Sequence, residues 1–183
     1  MKQTKILLLS FAIISAISII ALFASAKHIE PEKVDAKNVI EHVDKYIGKL
    51  VETEGKIVHV CGVDKKKIKL MVENVGSIKI ISEHADSEFD YDLNQKEVRV
   101  VGVVKEIRIK KDRIDEMEQN MNLLCSIDKE PCIDPNYAER RRQAGTLEED
   151  SKRHINRLRE TMKETGKDYI SIVTIVAKSV EPK

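Results

Sequence analysis

The chain has 183 residues, of which 34% are charged and 42% hydrophobic, with no tryptophan, three phenylalanines and four tyrosines. Its formal net charge is +1, and the first 26 residues hold two lysines and no acid, so the remainder is one charge negative. So even a balance provides no field to draw in a polyanion, and so few aromatics leave no row of stacking platforms for single-stranded nucleic acid.

Residues 1–26 read as a targeting segment. Lys2 and Lys5 precede an uncharged run from Ile6 to Ala26, and Ala24-Ser25-Ala26 suits signal-peptide cleavage before Lys27. A run over 6–26 is also long enough to span a bilayer as an uncleaved anchor. Both readings place the remainder outside the cytoplasm, in the periplasm or held at the membrane only through residues 6–26.

Residues 27–34 form a polar linker with Pro31. Asp35 is a good N-cap for a helix whose stripe is Val39, Ile40, Val43 and Ile47, and Gly48 is its expected stop. Strands follow at 50–61, 67–72 and 77–81, then an irregular acidic stretch over 82–94, then a strand at 97–109. The first and fourth strands share a phrase: Lys49, Val51, Gly55 and Ile57 match Lys96, Val98, Gly102 and Val104. One glycine inside an alternating strand marks a bend or bulge. Helices follow, one capped by Asp112 with the stripe Ile114, Met117, Met121 and Leu124. Cys125–Cys132 is a loop, Asp134-Pro135 opens a short helix, and Thr146 with Glu149 forms a capping box for a longer one with the stripe Ile155, Leu158 and Met162. A β-branched strand over 169–180 closes the series.

This order, with long first and fourth strands, predicts a mainly β fold with α elements. It is a five-stranded OB-like Greek-key barrel over 35–183, with an N-terminal helix and a helical insertion at 112–166 before the last strand. The phrases Val58-His59-Val60-Cys61, Lys105-Glu106, Ile114-Asp115-Glu116-Met117-Glu118 and Gly166-Lys167-Asp168-Tyr169 resemble a group of exported bacterial OB-fold proteins, over roughly residues 36–175. The resemblance implies the barrel and export; it supplies no catalytic residue. That group carries a second histidine in the turn after His-Val-Cys, where this chain has Gly62-Val63-Asp64-Lys65, so a metal site transferred from it loses a ligand.

Candidate sites are few. His59 and Cys61, two apart on a strand, share a face and could begin a zinc or copper site, with His84, Cys125 or Cys132 as a third ligand. The plainer reading is a half-buried strand with one satisfied histidine and one small apolar cysteine. In an oxidising compartment Cys125 and Cys132 could form a local disulfide; free thiols, or pairing of either with Cys61, are the alternatives. Lys67, Lys69 and Lys79 project from the non-core face of strands two and three, the face on which OB-folds bind oligonucleotides or oligosaccharides, or they are simply solvated. Arg140, Arg141, Arg142, Lys152, Arg153, Arg157 and Arg159 interleave with acids, the pattern of an ion-paired helix face. No nucleophile, metalloprotease or phosphate-loop motif is present. The expected function is therefore a non-enzymatic binding or scaffold module of the cell envelope, with an envelope protein or a glycan as partner and nucleic acid disfavoured. The alternative is a soft-metal protein built on His59 and Cys61.

Overall fold

The structure, a computed structural model, describes residues 30–183; residues 1–26, which read as a targeting segment, lie outside them. Among the described residues no helix is long and apolar enough to cross a membrane. Six strands and five α-helices follow in chain order among the described residues, with a 3-10 turn at Tyr91–Leu93: β1 (Glu32–Lys33), α1 (Ala36–Glu41), α2 (Val43–Tyr46), β2 (Leu50–Val60), β3 (Lys67–Val72), β4 (Gly76–Ser82), β5 (Glu97–Lys110), α3 (Lys111–Gln119), α4 (Pro135–Gln143), α5 (Leu147–Thr165) and β6 (Tyr169–Pro182).

The sheet runs β1-β2-β3-β4-β6-β5, and β2 also pairs with β5. That second pairing closes β2, β3, β4, β6 and β5 into a five-stranded barrel. All its contacts are antiparallel except β4 with β6, which is parallel. This is the OB-like barrel expected from strand order. β1 adds a sixth strand, parallel to β2 through Glu32↔Val51 and Lys33↔Glu52, inside the stretch read as linker.

Alternation fills the barrel. Val51, Ile57, Ile68, Leu70, Ile78, Ile80, Val98, Val100, Val104 and Ile175 point inward and form one core, which Val39, Val43 and Tyr46 cap from α1 and α2. A second core joins Ile109, Ile170 and Ile172 to Ile114, Met117, Leu124, Ile155 and Leu158. It fastens the helical insertion to the far ends of β5 and β6.

The two glycines of the repeated phrase play different parts. At Gly102 the β5–β6 register slips: Val101 pairs with Ser179 but Gly102 with Ala177, leaving Lys178 as the extra residue of a bulge. A Cβ there would sit 2.4 Å from the Val176 carbonyl oxygen. Gly55 stays in register with Val98. A Cβ on it would meet only the Leu70 side chain, at 2.7 Å, so this glycine makes room rather than a bulge. The bulge of β2 falls at Val58, between the pairs Ile57↔Leu70 and His59↔Lys69.

The helices depart from expectation at their ends. His42, at φ −126° and ψ 40°, divides the first helix in two. Helix α3 starts one residue before Asp112, with Lys110 at its N-cap and no side-chain cap. It stops at Gln119, so Met121 is exposed and Leu124 reaches the core from outside the helix. The capping box at Thr146 does not form, because the Thr146 hydroxyl donates to the Asp150 carboxylate at 3.0 Å instead.

Candidate functional site

The segment between α3 and α4 carries the chemistry. Leu124 bridges antiparallel to Pro131, the Cys125 N–H donates to the Glu130 carbonyl, and the Cys132 N–H donates to the Leu123 carbonyl. Residues 123–132 thus form a β-hairpin rather than a plain loop. Its tip turns through Lys129, whose φ of 61° lies in the left-handed region. A non-glycine residue there is strained by about 1 kcal/mol or more.

The hairpin lies over the outer face of β3 and β4. Asp128, 5% exposed, receives hydrogen bonds from Lys67 Nζ at 2.9 Å and Lys79 Nζ at 3.0 Å. Burial pushes the Asp128 carboxyl pKa up, but the two ammonium groups outweigh it and hold the value below the ordinary 3.8. Burial likewise opposes the charge on Lys67, and Asp128 outweighs that, so its pKa is raised. The predicted ligand lysines are therefore not a free row. Lys67 and Lys79 are nearly buried and committed to Asp128, and Lys69 alone of these three lysines has no ion pair among the described residues. The reason is electrostatic, since like charges on one covered face need a counter-charge.

The helices hold the hairpin from its other side. The Leu124 N–H donates to His154 Nδ1 at 3.1 Å, Ser151 Oγ donates to the Asn122 carbonyl at 3.0 Å, and Arg113 pairs with Glu130 at 2.7 Å. Accepting through Nδ1 fixes the neutral His154 tautomer with its proton on Nε2. Burial first, then Arg153 nearby, depresses the His154 pKa below its ordinary 6.5. The unfolded chain binds that proton first as the medium is acidified, so this contribution to stability is present above pH 6.5 and is lost below it. Stability should fall between pH 7.5 and 5.5. In His154→Asn, whose side-chain oxygen can still accept from Leu124, denaturant titrations at both pH values should show less than half the parent's drop. An unchanged drop would remove His154 from the account.

Two cavities flank the hairpin. The larger, about 530 Å³, lies between α1, α2, α5, β4, β6 and the hairpin. Its apolar wall includes Ile40, Ile127, Leu158, Ile170 and Ile172. Lys129, Arg157 and Lys167 also line it, and among the described residues none of the three has an ion-pair partner. Burial, followed by repulsion from Lys69, lowers the Lys129 pKa. The carboxylates on the rim are engaged elsewhere: Asp44 with Arg108 at 3.3 Å and Glu41 with Lys37 at 3.8 Å. Elsewhere on the basic helices the ion-paired pattern holds. Arg140 pairs with Asp134, Arg141 with Asp150, Arg142 with Glu139, Lys152 with Glu148 and Arg159 with Asp115.

The second cavity, about 380 Å³, is lined by His59, Cys61, Cys125 and Cys132 together. The bulge at Val58 leaves His59 opposite Lys69, and the Cys61 N–H donates to the Lys67 carbonyl, so the pair shares the outer face. Their surroundings differ: His59 is exposed, whereas Cys61 is buried under the hairpin with Cys125 and Ile127. His84 is exposed on the loop after β4 and does not line this cavity. Among the described residues no three His, Cys, Asp or Glu side chains are grouped closely enough to hold a metal ion. The three cysteines are free thiols. Cys125 and Cys132 stand diagonally across the hairpin, facing Glu130 and Leu123, which is why they are neighbours without being bonded.

Compared with known proteins, the chain matches no family model and no curated protein.

Proposed function

We propose that the chain is a non-enzymatic binding module of the bacterial cell envelope, built on the OB-like barrel, that takes the acidic end of an envelope glycan in the cavity between barrel and insertion. The observation that carries this reading is the set Lys129, Arg157 and Lys167, cations without ion pairs among the described residues, on the wall of a solvent-open cleft. A volume of about 530 Å³ is of the size that holds a small ligand. The Ser77 hydroxyl offers a hydrogen bond to a sugar oxygen, while those of Thr161 and Ser171, which donate to the Arg157 carbonyl and the Glu106 carboxylate, can accept one. A carboxylate among these cations would offset the burial and the repulsion that together lower the Lys129 pKa. The signal-like residues 1–26 and the resemblance to exported OB-fold proteins supply the compartment.

The ordinary OB-fold ligand face is closed by Asp128 and the hairpin, which moves the expected ligand to the cavity beside it. Calorimetry on the purified protein at low salt should detect a uronate-containing disaccharide and not its neutral counterpart. Arg157→Gln and Lys129→Gln should each weaken binding by about tenfold, the worth of one charge-assisted hydrogen bond. Equal binding of the neutral sugar, or unaltered affinity in both variants, would refute the acidic-glycan reading. Binding of an acidic peptide in place of either sugar would point to an envelope protein instead.

A further inference from the structure

All three cysteines of the chain line one cavity, and they lie where the hairpin meets the barrel. Cys61 follows the end of β2 on the outer face. Cys125 comes down from the hairpin, and the two pack with Ile127 in a buried cluster separate from both main cores. Cys132 is only half-buried and stands diagonally from Cys125. Sixty-odd residues of sequence thus converge on a sulfur–sulfur neighbourhood that ties the first barrel strand to the insertion.

We propose that Cys61 and Cys125 form an oxidisable pair whose disulfide clamps the hairpin onto the barrel, with Cys132 remaining a thiol. The oxidant is a soluble disulfide, RSSR. The Cys125 sulfur attacks one sulfur of RSSR, forming Cys125–S–S–R and releasing RS⁻, which takes up the proton of Cys125. The Cys61 sulfur then attacks Cys125 Sγ, forming the Cys61–Cys125 bond and releasing a second RS⁻, which takes up the proton of Cys61. Two protein thiols are oxidised and one RSSR is reduced to two RSH. Lys67 and Arg140 line the same cavity, each already paired with a carboxylate, so the departing thiolates are protonated rather than held by a free cation. The clamp spans the same joint as the Asp128 ion pairs, so the covalent and ionic ties back each other up. This inference is independent of any ligand in the larger cavity.

The test is a disulfide map. Full-length protein is reduced, exposed to oxidised glutathione, acid-quenched, alkylated and digested for mass spectrometry. The expected product is a Cys61–Cys125 cross-linked peptide with Cys132 alkylated. Oxidation should raise Tm by roughly 10 °C, as closure of a long loop does. The drop in Tm caused by Asp128→Ala should shrink at least twofold in the oxidised protein. Cys132→Ser should leave the cross-link in place. A Cys125–Cys132 peptide, a cross-link between two copies, or three alkylated cysteines would each overturn the proposal, and none of these readouts depends on a variant that must fold.

Discussion

Replacing Gly102 with valine should be the most damaging single substitution in the barrel. A Cβ at this position would lie 2.4 Å from the Val176 carbonyl oxygen, 2.6 Å from Ile175 Cγ2 and 2.8 Å from Ala177 Cα. Two of these neighbours are backbone, held in the β5–β6 ladder on either side of the Lys178 bulge, so neither can turn aside. The ladder must part or the bulge must move. Overpacking of this kind costs on the order of 3 kcal/mol or more, which lowers Tm by roughly 10 °C in a domain of this size. Gly55→Ala makes the control. Its added Cβ meets only the flexible Leu70 side chain, and the loss should be about 1 kcal/mol. Thermal melts in which both variants lose the same amount would refute the distinction between a bulge glycine and a space-making one.

Asp128→Ala should cost nearly as much, by a different route. The substitution leaves the ammonium groups of Lys67 and Lys79 together, each side chain only 13% and 12% exposed, with no counter-charge. Removing one partner from such a site costs about 2–3 kcal/mol after allowance for the remaining solvent contact, or roughly 5–10 °C in Tm. The charge is the cause, so removing all of it should restore stability. The triple variant Asp128→Leu, Lys67→Met, Lys79→Met is expected to melt within a few degrees of the parent. A triple variant as unstable as Asp128→Ala would mean that the site is held by shape rather than charge. The pH window follows from the directions of the two shifts. Asp128 has a depressed pKa, so its contribution is present above about 3.8 and is lost as pH falls through the lower folded value. Lys67 has a raised pKa, so its contribution is present below 10.5 and is lost as pH rises past it. Between those limits the tie is intact, and a loss of stability near pH 6 belongs to His154 and His59, whose pKa values burial lowers.

The barrel was legible because its signals are local. Alternation over 67–72 and 77–81 names the inward residues of the two short strands, and two matched glycine phrases separate the long strands from the short. What local pattern cannot give is a partner. Gly55 and Gly102 look alike in sequence, and only the neighbour of each decides that one faces a side chain and the other a backbone bulge. The Val58 bulge has no glycine to announce it. The hairpin at 123–132 reads as a loop over 125–132, with Leu124 on the preceding helix, because its strands are two or three residues long. Yet Leu124 and Cys125 before the Ser126–Lys129 turn, and Pro131 and Cys132 after it, are the composition of a short hairpin. Asp128 carries no motif of its own, although lysines at 67, 69 and 79 on one face of two strands imply an acid somewhere to cover them. His154 and Arg157 sat unremarked or averaged among paired helix charges. Their distinction is that one accepts from a distant backbone N–H and the other looks into a cavity.

The position of β6 governs the order of assembly. This strand is the last of the six along the described chain, yet it lies between β4 and β5, with Lys79 paired to Thr174 on one side and Lys110 to Tyr169 on the other. Until residues 169–182 are available, β4 keeps one unpaired edge and β5 has only β2 beside it. Ile78, Ile80 and Val104 then face an open groove. A chain emerging from its N-terminal side can form the β2–β3–β4 meander early, because those contacts are short in sequence, but it cannot close the barrel. Closure waits on a parallel pairing between distant segments, the slowest kind of strand contact to find, and the helical insertion that joins β5 to β6 must be looped out or folded before it happens. The half-built form carries exposed strand edges and apolar residues, so a holding chaperone or simple dilution should improve the yield of refolded protein.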